Sequence, residues 1–333
     1  MAKKEQNGKA APIAGDDFAT DLIRILNQER AERVAFDLSK GETSPTHIKR
    51  WISTGCLGLD YITSNRRPGG LPEGRIVEIF GPPSIGKSHV LIQVARETQK
   101  LNGIVVYIDT ENATQVENLE ALGIDMSRRF VFCEASTIEE VFQNAERTVL
   151  KAREMAKDVP VTIIWDSVAG TPSEAELKAD YDDSQIGAAA RAISKGMRKI
   201  TQTIGRQNVL FLIANQTRTA IGVMYGDPTV VPGGKSVPYH SSVRIKLGAG
   251  QQIKDAQGRV IGIHVSAKTV KNKVTYPFRE AHFEIHFGKG VVEHEQLLEV
   301  CRAHCKKNGR VTCDKHDIAI VGEGAWKTLE VYE

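Results

Sequence analysis

The chain has 333 residues, of which 41% are apolar, and a formal net charge of +3. This length and apolar content suffice for one large core and exclude an intrinsically disordered chain, and no apolar run approaches the roughly 20 residues that a membrane-spanning helix needs. The small positive charge by itself neither indicates nor excludes a nucleic-acid partner, because such partners are recognised by clusters of basic residues.

The N-terminal segment and the cysteines indicate a location inside the cell. Residues 1–17 are polar and contain lysines without an apolar run, so we predict a flexible leader and not a secretion signal. The five cysteines are an odd number spread from Cys56 to Cys313. They do not form the dense, even framework of a secreted disulfide scaffold. We therefore expect reduced thiols and a cytoplasmic protein without a membrane partner.

The order of apolar patterns predicts the fold. Apolar residues recur at helical spacing between Phe18 and Leu38, which predicts a helical N-terminal arm. Strand and helix patterns then alternate: strands at Arg75–Phe80, Ile104–Ile108, Val161–Trp165 and Val209–Ile213, helices at Lys87–Gln99 and Ile138–Met155. This alternation predicts a mostly parallel sheet covered by helices on both faces. Strands at Val243–Leu247, Val260–Lys268 and His282–His286 follow without intervening helices, so we expect the sheet to end in antiparallel edge strands.

The first apolar strand is followed by an eight-residue segment that fits the phosphate-binding P-loop. Its sequence is Gly81-Pro82-Pro83-Ser84-Ile85-Gly86-Lys87-Ser88. Glycines in such a loop let backbone N–H groups point at phosphate oxygens, and the positive end of the following helix adds to the attraction. Lys87 would reach the β and γ phosphates, and Ser88 would bind Mg²⁺. A chance glycine turn is the alternative, but the position between a strand and a helix favours a site for ATP or a close relative.

Two carboxylates follow later strands of the predicted sheet. Asp166 ends the strand that begins at Val161, where it could bind Mg²⁺ through water; a helix N-cap is the alternative. Glu111 follows the strand that begins at Ile104, where a carboxylate could activate water for attack on the γ phosphate. A solvated loop acid is an equally good interpretation of Glu111. The P-loop favours the metal-binding interpretation of Asp166.

Several short segments, in their order and spacing, resemble the RecA recombinase family. They are Ile52-Ser53-Thr54-Gly55, Leu59-Asp60, Gly69-Gly70-Leu71-Pro72, Gly74-Arg75-Ile76-Val77-Glu78-Ile79, Asp166-Ser167-Val168-Ala169, Gly187-Ala188-Ala189-Ala190-Arg191, Asn215-Gln216-Thr217-Arg218, Ile221-Gly222-Val223-Met224-Tyr225-Gly226, Gly233-Gly234 and Lys271-Asn272-Lys273. The resemblance covers roughly residues 50 to 290. Many NTPases share the P-loop alone, whereas the combination with the last three segments is specific to this family.

The resemblance implies an α/β fold: a RecA-like P-loop NTPase core with a mostly parallel central sheet flanked by helices, a helical N-terminal arm and a short C-terminal extension. The implied organisation is a flexible leader at 1–17, an oligomerisation arm at 18–50, the ATPase core at 51–290 and the extension at 291–333. The implied activity is ATP-dependent recombination in DNA repair. Such a protein forms a homo-oligomeric helical filament on single-stranded DNA, pairs it with homologous double-stranded DNA and exchanges strands.

The resemblance also implies roles for individual residues. Glu111 would be the general base, and Lys87 would stabilise the phosphates. Gln216 would sense the γ phosphate and couple it to the DNA loop that follows. Lys271 and Lys273 would reach across the subunit interface to the nucleotide of the neighbour, where cations stabilise the charge that develops during hydrolysis. Hydrolysis would then depend on assembly.

Two loops are implied to carry DNA. The first, at about Glu174 to Ile186, leads into a helix; the second spans Thr217 to Pro232. The implied DNA-binding residues are Ile186, Gly187, Arg191, Ser194, Arg198, Arg218, Ile221, Gly233 and Gly234. Arginines and glycine N–H groups suit phosphate contacts without sequence preference, and the two isoleucines could wedge between bases. An ordinary solvated helix face is the alternative for the arginines.

The sequence departs from the family pattern at several positions. Asn118 lies in the segment where the family has an aromatic residue near the adenine, so base stacking is expected to be weaker or to be supplied elsewhere. Pro238 stands where a lysine is common before the interface aromatic, and Thr219-Ala220 is less basic than usual. The resemblance fades beyond about residue 290, so duplex capture through the small C-terminal domain of the family is expected to be absent or altered.

The C-terminal segment contains residue types that could bind zinc. They are Cys301, His304, Cys305, Cys313 and His316. The first three lie at i, i+3 and i+4 of a predicted helix, where cysteines are more often small core residues, and that interpretation is favoured.

Two other functions remain open from the sequence. One is a non-catalytic filament or mediator that binds DNA and nucleotide but hardly hydrolyses it, against which Glu111, Lys271 and Lys273 argue. The other is a hexameric helicase-type motor with the same core, against which the Gly233-Gly234 loop argues.

Overall fold

The computed structural model describes residues 15–30, 33–40, 44, 47–180, 185, 187–219, 229–292, 310–313, 316–321 and 328–332. The chain divides into two compact units, Met1–His47 and Ile48–Glu333. No helix within the described ranges is long and apolar enough to span a bilayer.

The N-terminal unit contains one α-helix, α1, among its described residues. It spans Gly15–Asn27, so the prediction of helical structure to Leu38 is wrong in its second half. The physical reason is the Asn27 side chain, which ties the returning chain to the helix end. Its amide donates to the carbonyl of Ala35 at 2.9 Å, and its oxygen accepts from the N–H of Val34 at 2.8 Å. A short 3₁₀ turn, Leu38–Lys40, follows.

The second unit carries the remaining elements. Its helices are α2 Leu57–Ser64, α3 Lys87–Lys100, α4 Val116–Ala121, α5 Ile138–Met155, α6 Glu174–Lys178, α7 Ala188–Arg206 and α8 Ser236–His240. Its strands are β1 Trp51–Ile52, β2 Leu71–Pro72, β3 Ile76–Gly81, β4 Ile104–Asp109, β5 Phe130–Glu134, β6 Val161–Asp166, β7 Val209–Gln216, β8 Arg218–Thr219, β9 Thr229–Val230, β10 Val243–Lys254, β11 Val260–Asn272, β12 Glu280–His286, β13 Gly290–Val291, β14 Arg310–Cys313, β15 His316–Val321 and β16 Thr328–Tyr332.

A nine-stranded sheet organises this unit. Its strand order is β13-β12-β11-β10-β3-β7-β6-β4-β5. The strands from β10 to β5 are parallel, and β11, β12 and β13 continue the sheet in antiparallel pairs. The expected mostly parallel sheet with antiparallel edge strands is therefore confirmed. Because the central strands are parallel, their carboxyl ends meet at one edge.

Helices bury both faces of the sheet. On one face, α2, α3 and α4 pack on a core that includes Leu91, Val94 and Tyr107. On the other, α5 and α7 pack on a core centred on Trp165 and Phe142, whose rings meet edge to face at 5.5 Å. Helices cover both faces of the central strands, so side chains on both faces are apolar. This is why each of these strands is a continuous apolar run in the sequence.

Several elements differ from the sequence prediction. The exposed edge strand β5 and the short helices α4 and α8 were not predicted, since short or half-exposed segments carry weak periodicity. The segment 174–178, predicted as part of the first loop, is helix α6 because Ser173 and Glu176 form a capping box at its start. Near the C-terminus, β14 to β16 form a small antiparallel sheet in which Cys313 lies opposite His316. The other three proposed zinc ligands, Cys301, His304 and Cys305, lie outside the described residues.

Candidate active site

A cleft of about 350 Å³ opens at the carboxyl edge of the parallel strands. Residues from the ends of β4 and β6, from the start of α3, from α4 and its two ends, and from the segment after β12 surround it. They are Ser88, His89, Ile92, Asp109, Glu111, Ala113, Thr114, Gln115, Asn118, Ala121, Leu122, Asp166, Phe287 and Gly288. The strand ends thus bring Ser88, Glu111 and Asp166 together, although they are widely separated in the sequence.

The phosphate loop, residues 81–88, connects β3 to α3 beside this cleft. Ser84 and Gly86 adopt left-handed backbone conformations, with φ of 57° and 89°. Residues with left-handed backbone therefore alternate with a residue of ordinary backbone, Ile85. This alternation turns successive N–H groups toward one concave side, a geometry that binds anions. A Cβ at Gly86 would meet Ile285 Cδ1 at 2.3 Å, and the φ of 89° is itself a conformation that favours glycine.

Lys87 begins α3 and lies within the loop. Its ammonium donates to the carbonyls of Gly81 at 3.3 Å and Pro82 at 2.6 Å, and the residue is 7% exposed. Burial lowers the pKa of Lys87, and the charges of Asp166 and Glu111 oppose that change. A phosphate in the loop would supply the negative charge that a buried ammonium requires. The loop therefore fits a nucleotide phosphate.

Asp166 is held at the end of β6. Its Oδ2 accepts a hydrogen bond from the Tyr107 hydroxyl at 2.7 Å, and it is also bonded to the Ser88 side chain. Burial raises the pKa of Asp166, and the two hydrogen bonds counteract it. A serine hydroxyl and a carboxylate in contact form a set of oxygen ligands suited to Mg²⁺.

Asp109 shapes the loop that carries Glu111. Its Oδ1 accepts from the backbone N–H groups of Glu111 at 2.9 Å and Asn112 at 3.0 Å, and its Oδ2 accepts from Thr114 at 3.0 Å. One buried carboxylate thereby satisfies three N–H groups and fixes the turn after β4. Asp109 was not among the site residues predicted from the sequence.

Glu111 is bonded on one oxygen to residues from two neighbouring strands. Its Oε1 accepts from the Ser167 hydroxyl and, at 3.1 Å, from the Gln216 amide. Gln216 ends β7, just before the predicted second DNA loop. The structure thus brings Glu111 and Gln216 into direct contact beside the phosphate loop.

The far side of the cleft lacks an aromatic residue on α4. Gln115, Asn118 and Leu122 line that side, as the sequence departure at Asn118 indicated. Phe287, which follows β12, stands at the cleft mouth with 51% of its surface exposed. Phe287 is thus available to cover a base from within the same chain.

Lys271 and Lys273 do not reach the cleft of their own chain. Lys271 donates to the carbonyls of Pro238 at 2.5 Å and Tyr239 at 2.8 Å, and the Lys273 ammonium lies 6.0 Å from the Tyr239 ring. Lys271 lies at the end of β11, where it pairs with Arg244 at the start of β10, and Lys273 directly follows the strand. Strand β10 begins beside the start of β3, whereas the phosphate loop follows the end of β3. The two lysines and the phosphate loop therefore lie at opposite ends of these strands.

A second cavity, of about 460 Å³, lies between α7 and α8. We call it the α7–α8 cavity. It is lined by Ala190, Ser194, Arg198, Gly233, Gly234, Lys235, Ser236, Tyr239 and His240. Four residues predicted to bind DNA therefore share one concave, basic surface. Gly233 has a φ of 89°, and a Cβ there would meet Ile193 at 2.9 Å, so the close approach of this turn to α7 requires glycine.

The other predicted DNA residues are only partly placed. Gly187 is the left-handed N-cap of α7, Arg191 lies one turn into that helix, and Arg218 is exposed in β8. Ile186 and Ile221 lie outside the described residues.

A buried polar network connects the phosphate-loop strand to the end of the predicted second DNA loop. Asn215 donates to Glu78 and to the Pro232 carbonyl, both at 3.1 Å. Glu78 in turn pairs with Arg244, whose guanidinium lies 4.5 Å from the centre of the Phe80 ring. Glu78 and Asn215 are fully buried, so the network fixes how β3, β7 and β10 align.

Sequence reasoning missed some residues of the cleft. Tyr107 and Asp109 alternate with Ile108 on a strand, and their polar side chains could have been recognised by the two-residue period. Phe287 carries no local signal, because only the tertiary fold brings it to the cleft.

Comparison with known proteins identifies relatives over most of the chain. The family model for the RecA N-terminal domain matches residues 33–292. A protein named RecA from Ruminococcus albus is 38% identical over 283 residues, which cover 85% of this chain and 65% of that relative. RecA proteins from Lactobacillus acidophilus and Bordetella petrii are 36% and 34% identical and cover 78% and 88% of this chain and 68% and 80% of their own lengths. The chain thus spans about two thirds of the length of the first two relatives.

Proposed function

Because the chain belongs to the RecA family, we propose that it is a DNA-dependent ATPase that forms a filament on single-stranded DNA, pairs it with homologous duplex and promotes strand exchange. The relatives carry the name RecA, and the proposal assigns the cleft to the nucleotide and the α7–α8 cavity to DNA.

Each of the cleft residues would have its own role in ATP hydrolysis. The phosphate loop holds the β and γ phosphates through N–H groups and Lys87. Mg²⁺, bound by Ser88 and through water by Asp166, would neutralise charge on the phosphates. Glu111 accepts the proton of the attacking water. Ser167 and Gln216 hold the Glu111 carboxylate from one side and orient it.

The contact of Glu111 with Gln216 is the observation that carries this proposal. The same glutamine touches the candidate base and ends the strand that enters the second DNA loop. A change in that loop on DNA binding can therefore alter the position of the Glu111 carboxylate by one hydrogen bond. This is a direct route by which DNA stimulates hydrolysis.

DNA would bind along the α7–α8 cavity. Arg198 and the N–H groups of Gly233 and Gly234 suit phosphate contacts, which do not read sequence. Lys271 and Lys273, too distant from their own cleft, would stabilise the γ phosphate of the adjacent subunit. Hydrolysis would then require an assembled filament.

The first experiment is ATP hydrolysis with and without single-stranded DNA of mixed sequence. Strong stimulation is expected, and Lys87→Ala should abolish it. A protein that binds ATP and DNA without stimulation would instead be the non-catalytic mediator. Closed hexamers that unwind duplex would point to the helicase-type motor.

A further inference from the structure

An exposed group of aromatic and arginine side chains combines the segment that follows Lys271 and Lys273 with one residue of α2. We call it the arginine–aromatic face: Tyr61 on α2, and Tyr276, Phe278 and Arg279 between β11 and β12. Tyr61 is 47% exposed, and Tyr276 and Phe278 are each 69% exposed. The Arg279 guanidinium contacts two of them, at 5.3 Å from the centre of the Tyr61 ring and 5.4 Å from that of Tyr276. Exposed tyrosine, phenylalanine and arginine side chains in one patch are typical of the energetically dominant part of protein interfaces.

The turn that presents this face is firmly held. Phe278 has a φ of 66°, a conformation that a bulky residue adopts only when its surroundings hold it there. Its N–H donates to the Thr269 carbonyl at 2.6 Å. Arg279 donates to the Asn65 side chain at 2.6 Å, which joins the turn to α2. The backbone of the turn that carries Tyr276 and Phe278 is therefore held in place by contacts within the same chain.

The face is continuous with the lysines that are proposed to act on a neighbouring subunit. Asn272, between Lys271 and Lys273, accepts from the N–H groups of Val274 and Thr275 at 3.0 and 3.1 Å. Its amide also donates to the Thr63 carbonyl of α2 at 2.9 Å. Tyr276 is only three residues from Lys273 on this anchored turn, so a neighbouring cleft that Lys273 approaches lies within about 10 Å of the Tyr276 backbone.

The cleft rim offers a complementary surface. Helix α4 presents Val116, 52% exposed, together with the exposed carboxylates of Glu117 and Glu120. An apolar side chain flanked by acids suits a surface of rings flanked by arginine. The same helix lines the side of the cleft that has Asn118 and no aromatic residue.

We infer that the arginine–aromatic face of one subunit docks on α4 of the next, and that Tyr276 stacks on the nucleotide base that Asn118 cannot stack on. The partner is a second copy of this chain, and the inference rests on the proposed filament. The base site is then completed by two subunits, with Phe287 of the same chain on one side and Tyr276 of the neighbour on the other. Nucleotide affinity accordingly rises with assembly.

The test is the KM for ATP in the DNA-stimulated reaction. Tyr276→Ala should raise KM about tenfold, the usual effect of losing one base stack, whereas Tyr276→Phe should restore it because the ring is retained. Tripolyphosphate has no base, so its inhibition constant should be the same for the wild type and for Tyr276→Ala. Weaker inhibition of Tyr276→Ala would mean that the phosphate loop is disturbed, and the inference would be wrong.

Mixing two variants decides whether the ring acts between subunits. Lys87→Ala subunits bind no nucleotide but keep Tyr276, so adding them to Tyr276→Ala subunits should lower the KM toward the wild-type value. An unchanged KM in mixed filaments overturns the inference. Failure of the proposed function looks different, because the wild type itself would then show no DNA-stimulated hydrolysis. Cross-linking of single-stranded DNA to Tyr276 would assign the face to nucleic acid instead and would also overturn the inference.

Discussion

Tyr107 donates its hydroxyl hydrogen to Asp166 across 2.7 Å, and both residues lie on neighbouring parallel strands. Burial, the nearby Asp166 charge and this hydrogen bond raise the pKa of Tyr107 well above its ordinary value, so the tyrosine remains a donor at any physiological pH. Burial raises the pKa of Asp166, and the hydrogen bonds from Tyr107 and Ser88 limit that rise. The tyrosine thus helps to keep Asp166 charged and able to bind a metal ion.

Tyr107→Phe should raise the Mg²⁺ concentration that gives half-maximal ATP hydrolysis several-fold. It removes a hydrogen bond that favours the charged form of Asp166. It should also lower the free energy of unfolding by about 1–2 kcal/mol, because a buried carboxylate oxygen loses its donor. A Mg²⁺ titration of hydrolysis and urea unfolding measure the two effects. Loss of stability with an unchanged Mg²⁺ requirement would make Tyr107 a packing residue only.

Glu111→Gln should lower the hydrolysis rate about 10²- to 10⁴-fold, the usual contribution of a general base. The substituted side chain keeps the size of glutamate and its carbonyl can still accept from Gln216, so ATP binding should change little. Single-turnover hydrolysis and equilibrium ATP binding are the measurements. Normal hydrolysis by this variant would remove Glu111 from the role of base.

Arg198→Ala should weaken binding to single-stranded DNA and reduce the slope of log K against log salt by about one phosphate contact. The matched control is Lys199→Ala, one residue further along α7. Lys199 faces α5, where it pairs with Glu146 at 2.6 Å. The control should leave the salt slope unchanged. Equal slopes for Arg198→Ala and the wild type would exclude Arg198 from the DNA surface.

The kcat/KM of DNA-stimulated hydrolysis should fall above about pH 8. Burial, followed by the charges of Lys273 and Arg244, lowers the pKa of Lys271 to about 8, and only the charged form can stabilise a neighbouring γ phosphate. Lys271→Arg should move this decline to higher pH, because arginine stays charged. A pH profile of kcat/KM reports groups of the free enzyme and is the appropriate measurement.

The same pKa has an effect of opposite sign on stability. Between about pH 8 and the ordinary lysine pKa, the folded chain binds fewer protons at Lys271 than the unfolded chain does, so this residue's contribution to stability rises with pH. Below about pH 8 both states are protonated at Lys271, and the cost of its partly buried charge is constant. Lys271→Met should remove this rise, which urea unfolding across the pH range would detect.

Gly196→Ala should destabilise the protein by about 1–3 kcal/mol, the usual cost of overpacking a core. An added Cβ would lie 2.1 Å from the Phe142 ring, where α5 and α7 cross. Gly205→Ala in the same helix is the control, because its Cβ would meet only the Gly74 carbonyl at 3.8 Å. The control should be neutral or slightly stabilising, since alanine favours helix. Urea unfolding of both variants measures the difference.

The sequence predicts the central sheet and the position of residues 81–88 between a strand and a helix well, because their signals are local. The strand that begins at Val161 is apolar throughout, and the loop ending at Lys87 has its glycines at fixed spacing. Helix α5 is predicted at its observed bounds, Ile138–Met155, because its apolar stripe persists over 18 residues. The N-terminal helix was predicted too long because the Asn27 side chain breaks a pattern that otherwise continues.

The rest of the site depends on tertiary contacts. The bond between Glu111 and Gln216 joins residues 105 positions apart, and no local pattern encodes it. Phe287 reaches the cleft only because β12 joins the sheet in antiparallel register. The arginine–aromatic face likewise combines Tyr61 with a turn more than 200 residues later, as the contact of Asn65 with Arg279 shows.

The Asn215 side chain helps to close the base of the predicted second DNA loop. It fastens Pro232 to β7, while β8 and β9 pair Arg218 with Val230, so both ends of the predicted second DNA loop are joined at their base. Closing a loop costs conformational entropy, and here the protein loses that entropy when it folds. If DNA binds this loop, as proposed, the entropy cost of joining its two ends has already been met by folding.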